Sequence, residues 1–112
     1  MGQTAVTRFG YGVKLTDGPE RAVEEYDDLE YFLKENYPLL ADGWSGNAWS
    51  GDMETWVFVA STLVTKYDYA AIKLTSDNFT VPEEGLAQLA DFIANTPLAV
   101  GTAQWGVLTS VG

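Results

Sequence analysis

Histidine and cysteine are both absent from the 112 residues. Those two side chains do most proton transfer near neutrality, much nucleophilic attack and most transition-metal binding, so their absence excludes the commonest enzyme mechanisms, thiolate metal sites and disulfides. Basic residues are scarce as well. Arg8, Lys14, Arg21, Lys34, Lys66 and Lys73 face sixteen acids, and no base follows Lys73, leaving a net charge of −10. Clustered Lys and Arg are what a phosphate backbone requires, so direct nucleic-acid binding is not expected. Long apolar runs are missing too. The longest, Trp56 to Ala60, is far too short to span a bilayer, and Met1 to Leu15 lacks the basic start and apolar core of a secretory signal. The expectation is a cytoplasmic protein without a membrane segment.

What is present is apolar and aromatic. An apolar content of 46% with fifteen aromatics is enough for a real core in one domain, and no linker or low-complexity tract divides residues 1–112. The sequence therefore reads as a single acidic α+β domain.

Half of the acids, eight of sixteen, lie between Asp17 and Glu35. Asp17-Gly18-Pro19-Glu20 supplies a cap, a first-turn proline and an acid three residues after the cap, so a helix is predicted from about Pro19 to Asn36. At 100° per residue Ala22, Tyr26, Leu29 and Leu33 form its apolar stripe, flanked by Val23 and Phe32. Glu20, Glu24, Asp27, Asp28 and Glu35 gather on the opposite side, with Tyr31 among them. The ordinary meaning of such a face is a solvated helix, acidic at its N-terminal end as the helix dipole prefers. Its functional meaning is a docking surface for a basic protein, with Tyr31 as the contact anchor.

Residues 5 to 15 alternate cleanly, Phe9, Tyr11, Val13 and Leu15 against Arg8, Gly10, Gly12 and Lys14, which is a half-buried strand. Its paired glycines lie inside the strand, where they mark close packing or a bend and not a phosphate-cradling turn. Pro38 to Trp44 is predicted as a short edge strand. Trp44-Ser45-Gly46-Asn47-Ala48-Trp49-Ser50-Gly51, a near-tandem Trp-Ser-Gly repeat, reads as loop or hairpin turn. Thr55 to Thr65, β-branched and aromatic with apolar residues on both faces, is predicted as the central strand, and Tyr69 to Leu74 as a weaker one. Thr80-Val81-Pro82-Glu83 carries a capping-box pattern, and Leu86, Leu89, Ala90 and Ile93 are the expected buried stripe of a second helix that stops before Pro97. Ala103 to Val111 is the last strand. This order predicts two helices packed on one face of a mainly antiparallel sheet of about four or five strands, a ferredoxin-like split β-α-β arrangement being one that fits.

No catalytic residue is assigned, and neither a metal nor a cofactor is expected. Carboxylates alone suit Ca²⁺ or Mg²⁺, but consecutive acids on a helix diverge and no stretch matches an EF-hand loop. No serine has a Lys at motif spacing to act as base. The protein is therefore expected to be a non-enzymatic interaction module that binds a basic partner through Glu20, Glu24, Asp27, Asp28, Tyr31 and Glu35. The short, acidic, His-free and Cys-free character resembles bacteriophage accessory proteins in general type, on no particular motif. Among those, inhibitors of host nucleic-acid enzymes present carboxylates in place of phosphates, so the resemblance implies an inhibitor or nucleic-acid mimic as one version of the docking role. The alternative is a small-ligand or carbohydrate binder. There Trp44 and Trp49 would stack on the ligand, and Asp52 and Glu54, alternate strand residues about 7 Å apart, would supply polar or acid groups. So many aromatics in a small chain also predict a homo-dimer, joined through the sheet or the tryptophan segment and away from the acidic helix.

Overall fold

The computed structural model describes residues 5–15, 29–47, 52–68, 70–96 and 99–111, with the backbone alone at 47, 52, 53 and 99–101. The described elements are β1 (Ala5–Leu15), α1 (Leu29–Asn36), β2 (Leu40–Asn47), β3 (Asp52–Val59), β4 (Val64–Tyr67), α2 (Glu83–Asn95) and β5 (Ala99–Val111). Short 3₁₀ turns lie at Ala60–Thr62 and Ser76–Phe79. The class is α+β, with two helices on a five-stranded mixed sheet.

Strand β1, with its strict alternation, is the hub of that sheet. Antiparallel β5 runs along one edge from Ala5 opposite Val111 to Leu15 opposite Ala99, with a register shift between Gly12 and Lys14. Two strands share the other edge: β4 pairs with Val6 to Phe9, and β3 with Gly12 to Lys14. The gap between them is where the predicted single strand from Thr55 to Thr65 is broken. Chain direction changes at the turn Ala60–Thr62, and Thr62 makes the change affordable. Its buried hydroxyl donates to the Val59 carbonyl at 2.7 Å and accepts the Tyr11 amide at 3.0 Å, so the β1 amide at the gap keeps a partner. The weak strand expected near Tyr69 to Leu74 does not form at residues 70–74, and Tyr69 itself lies outside the described residues. The strand lies earlier, at β4, and Asp68 ends it with φ 52° while its amide bonds the Ala5 carbonyl.

Four of the five strand pairings are antiparallel, as the element order suggests, but the sheet is mixed and two features depart from a ferredoxin-like arrangement. Strand β4 adds a fifth strand beside β1, and β2, antiparallel to β3 along its whole length, meets β5 in parallel at Gly46–Ser110 and Asn47–Val111. The sheet therefore curls round through β1, β3, β2 and β5 back to β1. Strand β2 also runs through Trp44, Ser45 and Gly46, a stretch whose small residues predict loop. Full-length pairing with β3, whose Trp-Val-Phe-Val run favours a strand, overrides the local turn preference.

The curl creates two apolar layers. On one face Val13, Leu15, Leu40, Val57 and Val59 pack against Leu29 and Leu33 of α1 and Leu89 and Phe92 of α2. Burying each such side chain stabilises by about 1.5–3 kcal/mol before entropy is counted. On the inner face Trp56, Phe58 and Leu108 cluster with Leu63. Room for these rings comes from glycine: Cβ atoms at Gly10 and Gly43 would stand 3.0 and 3.1 Å from Phe58 ring carbons, and one at Gly106 would stand 3.2 Å from Trp56.

The helices follow local chemistry with two corrections, both on α2. Helix α1 ends at Asn36, since Tyr37 precedes Pro38 and is pushed out of the helical region. Helix α2 begins at Glu83 with Pro82 at the cap and no side-chain cap bond, while the Thr80 capping pattern goes unused. A capping box forms instead around the 3₁₀ turn, where the Thr75 amide donates to Asn78 Oδ1 at 2.7 Å. The buried stripe of α2 is Gly85, Leu89 and Phe92, whereas Leu86 and Ala90 are exposed and Ile93 is half-buried. The cause is Gly85. A Cβ there would stand 2.5 Å from Val59 Cγ1, so the bare backbone lets the helix settle on β3 and turns Leu86 outward. Tyr37 Oη donating to Asp91 at 2.7 Å and the Leu39 amide donating to Gln88 Oε1 at 2.9 Å then fasten α2 to the start of β2.

Candidate functional site

Helix α1 carries the described part of the predicted acidic face. Leu29 and Leu33, four residues apart, are buried, which turns Glu30, Tyr31, Lys34 and Glu35 to solvent. Tyr31 is 61% exposed, high for an aromatic, and Glu35 lies one turn beyond it on the same stripe. Glu20, Glu24, Asp27 and Asp28 lie outside the described residues.

Beside this face a groove of about 440 Å³ separates α1 from β2, lined by Glu30, Leu33, Lys34, Pro38, Leu40, Ala41 and Asp42. Its floor is apolar and its rim charged. Asp42 is exposed as a residue, but partial desolvation of its carboxyl beside this floor pushes it above its ordinary value of 3.8, partly offset by a hydrogen bond to its own backbone; the Glu30 charge raises it further and the Arg8 charge lowers it. Nothing in the sequence pattern singled out Asp42, since an acid on a short edge strand is ordinarily solvated. Its relation to Glu30 exists only because β2 passes beside α1.

The sign of the Asp42 shift gives a testable consequence. Between the ordinary value and the raised one, the folded state binds the proton more tightly than the unfolded chain does, so this group's contribution to stability falls as pH rises through that window. Asp42→Asn is accordingly expected to raise the urea midpoint at pH 7, with the gain vanishing below pH 3.8. A midpoint lowered at pH 7, or a gain that persists in acid, would contradict the stated environment of Asp42.

Of the four alternative ligand residues, only Trp44 and Glu54 have described side chains. Trp44 is half-buried in β2 opposite Thr55 of β3, Trp49 lies outside the described residues, and the Asp52 side chain is likewise outside them. Glu54 is exposed and pairs with Lys14 at 3.3 Å, the one ion pair among the described residues. Neither of these two grooves is lined by Trp44 or Glu54. The second, of about 370 Å³, lies between the β2 entrance, the Ala60–Thr62 turn and the start of α2, with Pro38, Leu39, Ala60 and Pro82 in its walls.

Trp105, which a sequence reading places in the core with Trp56, is instead half-buried, in a cluster on the outer sheet face. It stacks on Phe9 at 5.3 Å and meets Tyr11 and Phe79 edge-on. Phe79 (50%) and Val107 (64%) remain exposed there. Among the described residues no three acids are placed to hold a metal ion, and no helix is long and apolar enough to cross a membrane. No family model matches the chain, and no curated protein or solved structure does so either.

Proposed function

We propose that this protein is a non-enzymatic interaction module that docks the α1 face on a basic surface of a partner protein. The observation that carries this reading is Tyr31, exposed at 61% between Glu30 and Glu35 in a chain of net charge −10. An exposed tyrosine offers large contact area at low entropic cost, and the surrounding carboxylates select a cationic partner and speed encounter. Glu20, Glu24, Asp27 and Asp28 would extend the same surface, and a nucleic-acid-mimicking inhibitor of phage type is one form it could take.

Association kinetics with a purified basic partner test the reading. The on-rate is expected to fall steeply from low to high salt, because exposed charges are screened beyond about 10 Å at roughly 0.1 M. Tyr31→Ala is expected to weaken binding about tenfold or more, which is roughly 1.4 kcal/mol. Salt-independent association, or full affinity in Tyr31→Ala and Glu35→Lys, would remove the proposal.

A further inference from the structure

We propose that the free edge of β4 is an interface with a second copy of this chain, the two β4 strands pairing antiparallel about a two-fold axis at Thr65. This goes beyond the docking reading above and uses none of its residues. Strand β4 ends the sheet and, among the described residues, pairs with β1 alone. The Asp68 amide bonds the Ala5 carbonyl at 2.8 Å, continuing the register of Val6 with Tyr67 and Phe9 with Val64. Successive residues of an antiparallel strand turn their backbone groups to opposite edges. Val64, Lys66 and Asp68 therefore face β1, while Leu63, Thr65 and Tyr67 face outward.

Some of these outward groups are already used. The Leu63 amide donates to the Ala60 carbonyl at 3.1 Å, and the Tyr67 carbonyl accepts the Ala70 amide at 3.2 Å. The Leu63 carbonyl, both backbone groups of Thr65 and the Tyr67 amide have no partner among the described residues. That set is complementary to itself. With Thr65 opposite Thr65 of the copy, each Thr65 amide meets the other Thr65 carbonyl, and each Tyr67 amide meets a Leu63 carbonyl across the axis. Every open group is then satisfied, and the bonds missing from a full ladder are those whose donor and acceptor are already engaged. Lys66 fixes the register. About Thr65 it lies opposite Val64 of the copy, where its stem can cover the valine. The next register, Thr65 opposite Tyr67, sets each Lys66 directly against the other, which is destabilising, and leaves the Leu63 carbonyl open. Val64–Tyr67 contains no acid, so this edge escapes the repulsion that a net charge of −10 imposes elsewhere. Tyr67, 59% exposed, comes to lie across from Leu63 of the copy. Because β1 occupies the other edge of β4, pairing closes at two copies, and so small a contact gives a reversible dimer.

The test is sedimentation equilibrium of the full chain over a range of concentrations, with amide hydrogen exchange followed by NMR. The mass is expected to rise from 12.2 kDa towards twice that value, and the Thr65 and Tyr67 amides should become protected in step with it. Thr65→Pro removes an amide hydrogen that bonds nothing in the single chain, and an edge strand tolerates proline where the nitrogen faces outward. This variant is expected to stay at 12.2 kDa at every concentration and to keep the amide spectrum of the rest of the fold. Thr65→Cys, in a chain that has no other cysteine, should cross-link to its copy on oxidation. Directly opposed, hydrogen-bonded residues stand about 5.5 Å apart at Cα, within disulfide reach. Ser76→Cys, exposed in the 3₁₀ turn, is the control and should cross-link far more slowly.

A mass of 12.2 kDa at every concentration of the unaltered chain would overturn the proposal. A dimer whose Thr65 and Tyr67 amides exchange as fast as in the dilute chain, or one that persists in folded Thr65→Pro, would overturn it too, since the copies then meet elsewhere. If Thr65→Pro does not fold, exchange in the unaltered chain and the rate of the Thr65→Cys cross-link decide without it. Cross-linking of Thr65→Cys no faster than that of Ser76→Cys counts against the pairing. The docking of α1 on a basic partner stands or falls separately, on the salt dependence and Tyr31 variant given above.

Discussion

Trp56→Ala is expected to lower the stability of this protein by about 3–5 kcal/mol in a urea titration, the range for truncating a buried aromatic. Only 8% of Trp56 is exposed, its ring stacks on Phe58 at 5.8 Å, and its far edge lies 3.2 Å from where a Cβ on Gly106 would stand. A glycine cannot grow into the space that the lost indole leaves. Because the total stability of a small domain is about 5–15 kcal/mol, this substitution removes a large share of it. The indole nitrogen adds a second arm to the test. Among the described residues Nε1 is buried without a hydrogen-bond partner, so the ring stabilises by packing while its N–H opposes burial. Trp56→Phe keeps most of the packing and deletes that donor, and it is expected to cost less than about 1.5 kcal/mol. Equal losses in the two variants would show that Nε1 is satisfied and that the packing account is incomplete.

Gly12→Ala is expected to be nearly as damaging, at about 3 kcal/mol, the upper end for forcing atoms into a packed interior. A Cβ on Gly12 would collide with the Val57 carbonyl oxygen and stand 2.8 Å from Phe58 Cα, and both of these are backbone atoms of the paired strand. Backbone cannot rotate aside as a side chain can. The pairing of β1 with β3 spans only Gly12 to Lys14, so relief means parting the short ladder that joins the two strands. Gly10→Ala is the control. Its new methyl would meet ring and methyl carbons of Phe58 and Leu63 at 3.0 and 3.3 Å, which can shift, and about 1–2 kcal/mol is expected. Circular dichroism through a denaturant titration would compare the two, and a Gly12 variant as mild as the Gly10 one would refute the close strand contact.

Part of the proposed docking face was readable before any fold. The i, i+4 spacing of Leu29 and Leu33 and the placing of Tyr31 and Glu35 away from that stripe follow from 3.6-residue periodicity, and α1 presents these residues accordingly. The groove was not readable. It joins Glu30 of a helix to Asp42 of a strand, and no periodicity within either element reports what lies across from it. The tryptophan segment misled for a related reason. Ser45, Gly46 and Asn47 favour turns locally, but Trp44 to Asn47 pair with Thr55 to Asp52, and a ladder of backbone hydrogen bonds outweighs such preferences.

Helix α2 separates the two levels further. Its position and type are visible in the spacing of Leu86, Leu89 and Ile93, yet the face it buries runs through Gly85, Leu89 and Phe92. Rotation of a helix about its axis is decided by the surface beneath it, and here Val59 fits only against a residue with no side chain. By itself the sequence determined the α+β class, the alternation of β1, the burial of Trp56 and the acidic character of α1, because each depends on local periodicity or on composition. Tertiary structure alone decided the break at Ala60–Thr62, the closure of β2 on β5 and the groove that sets Asp42 beside Glu30. Each of those depends on a contact between residues distant in the chain, and its energy is absent until the sheet has curled.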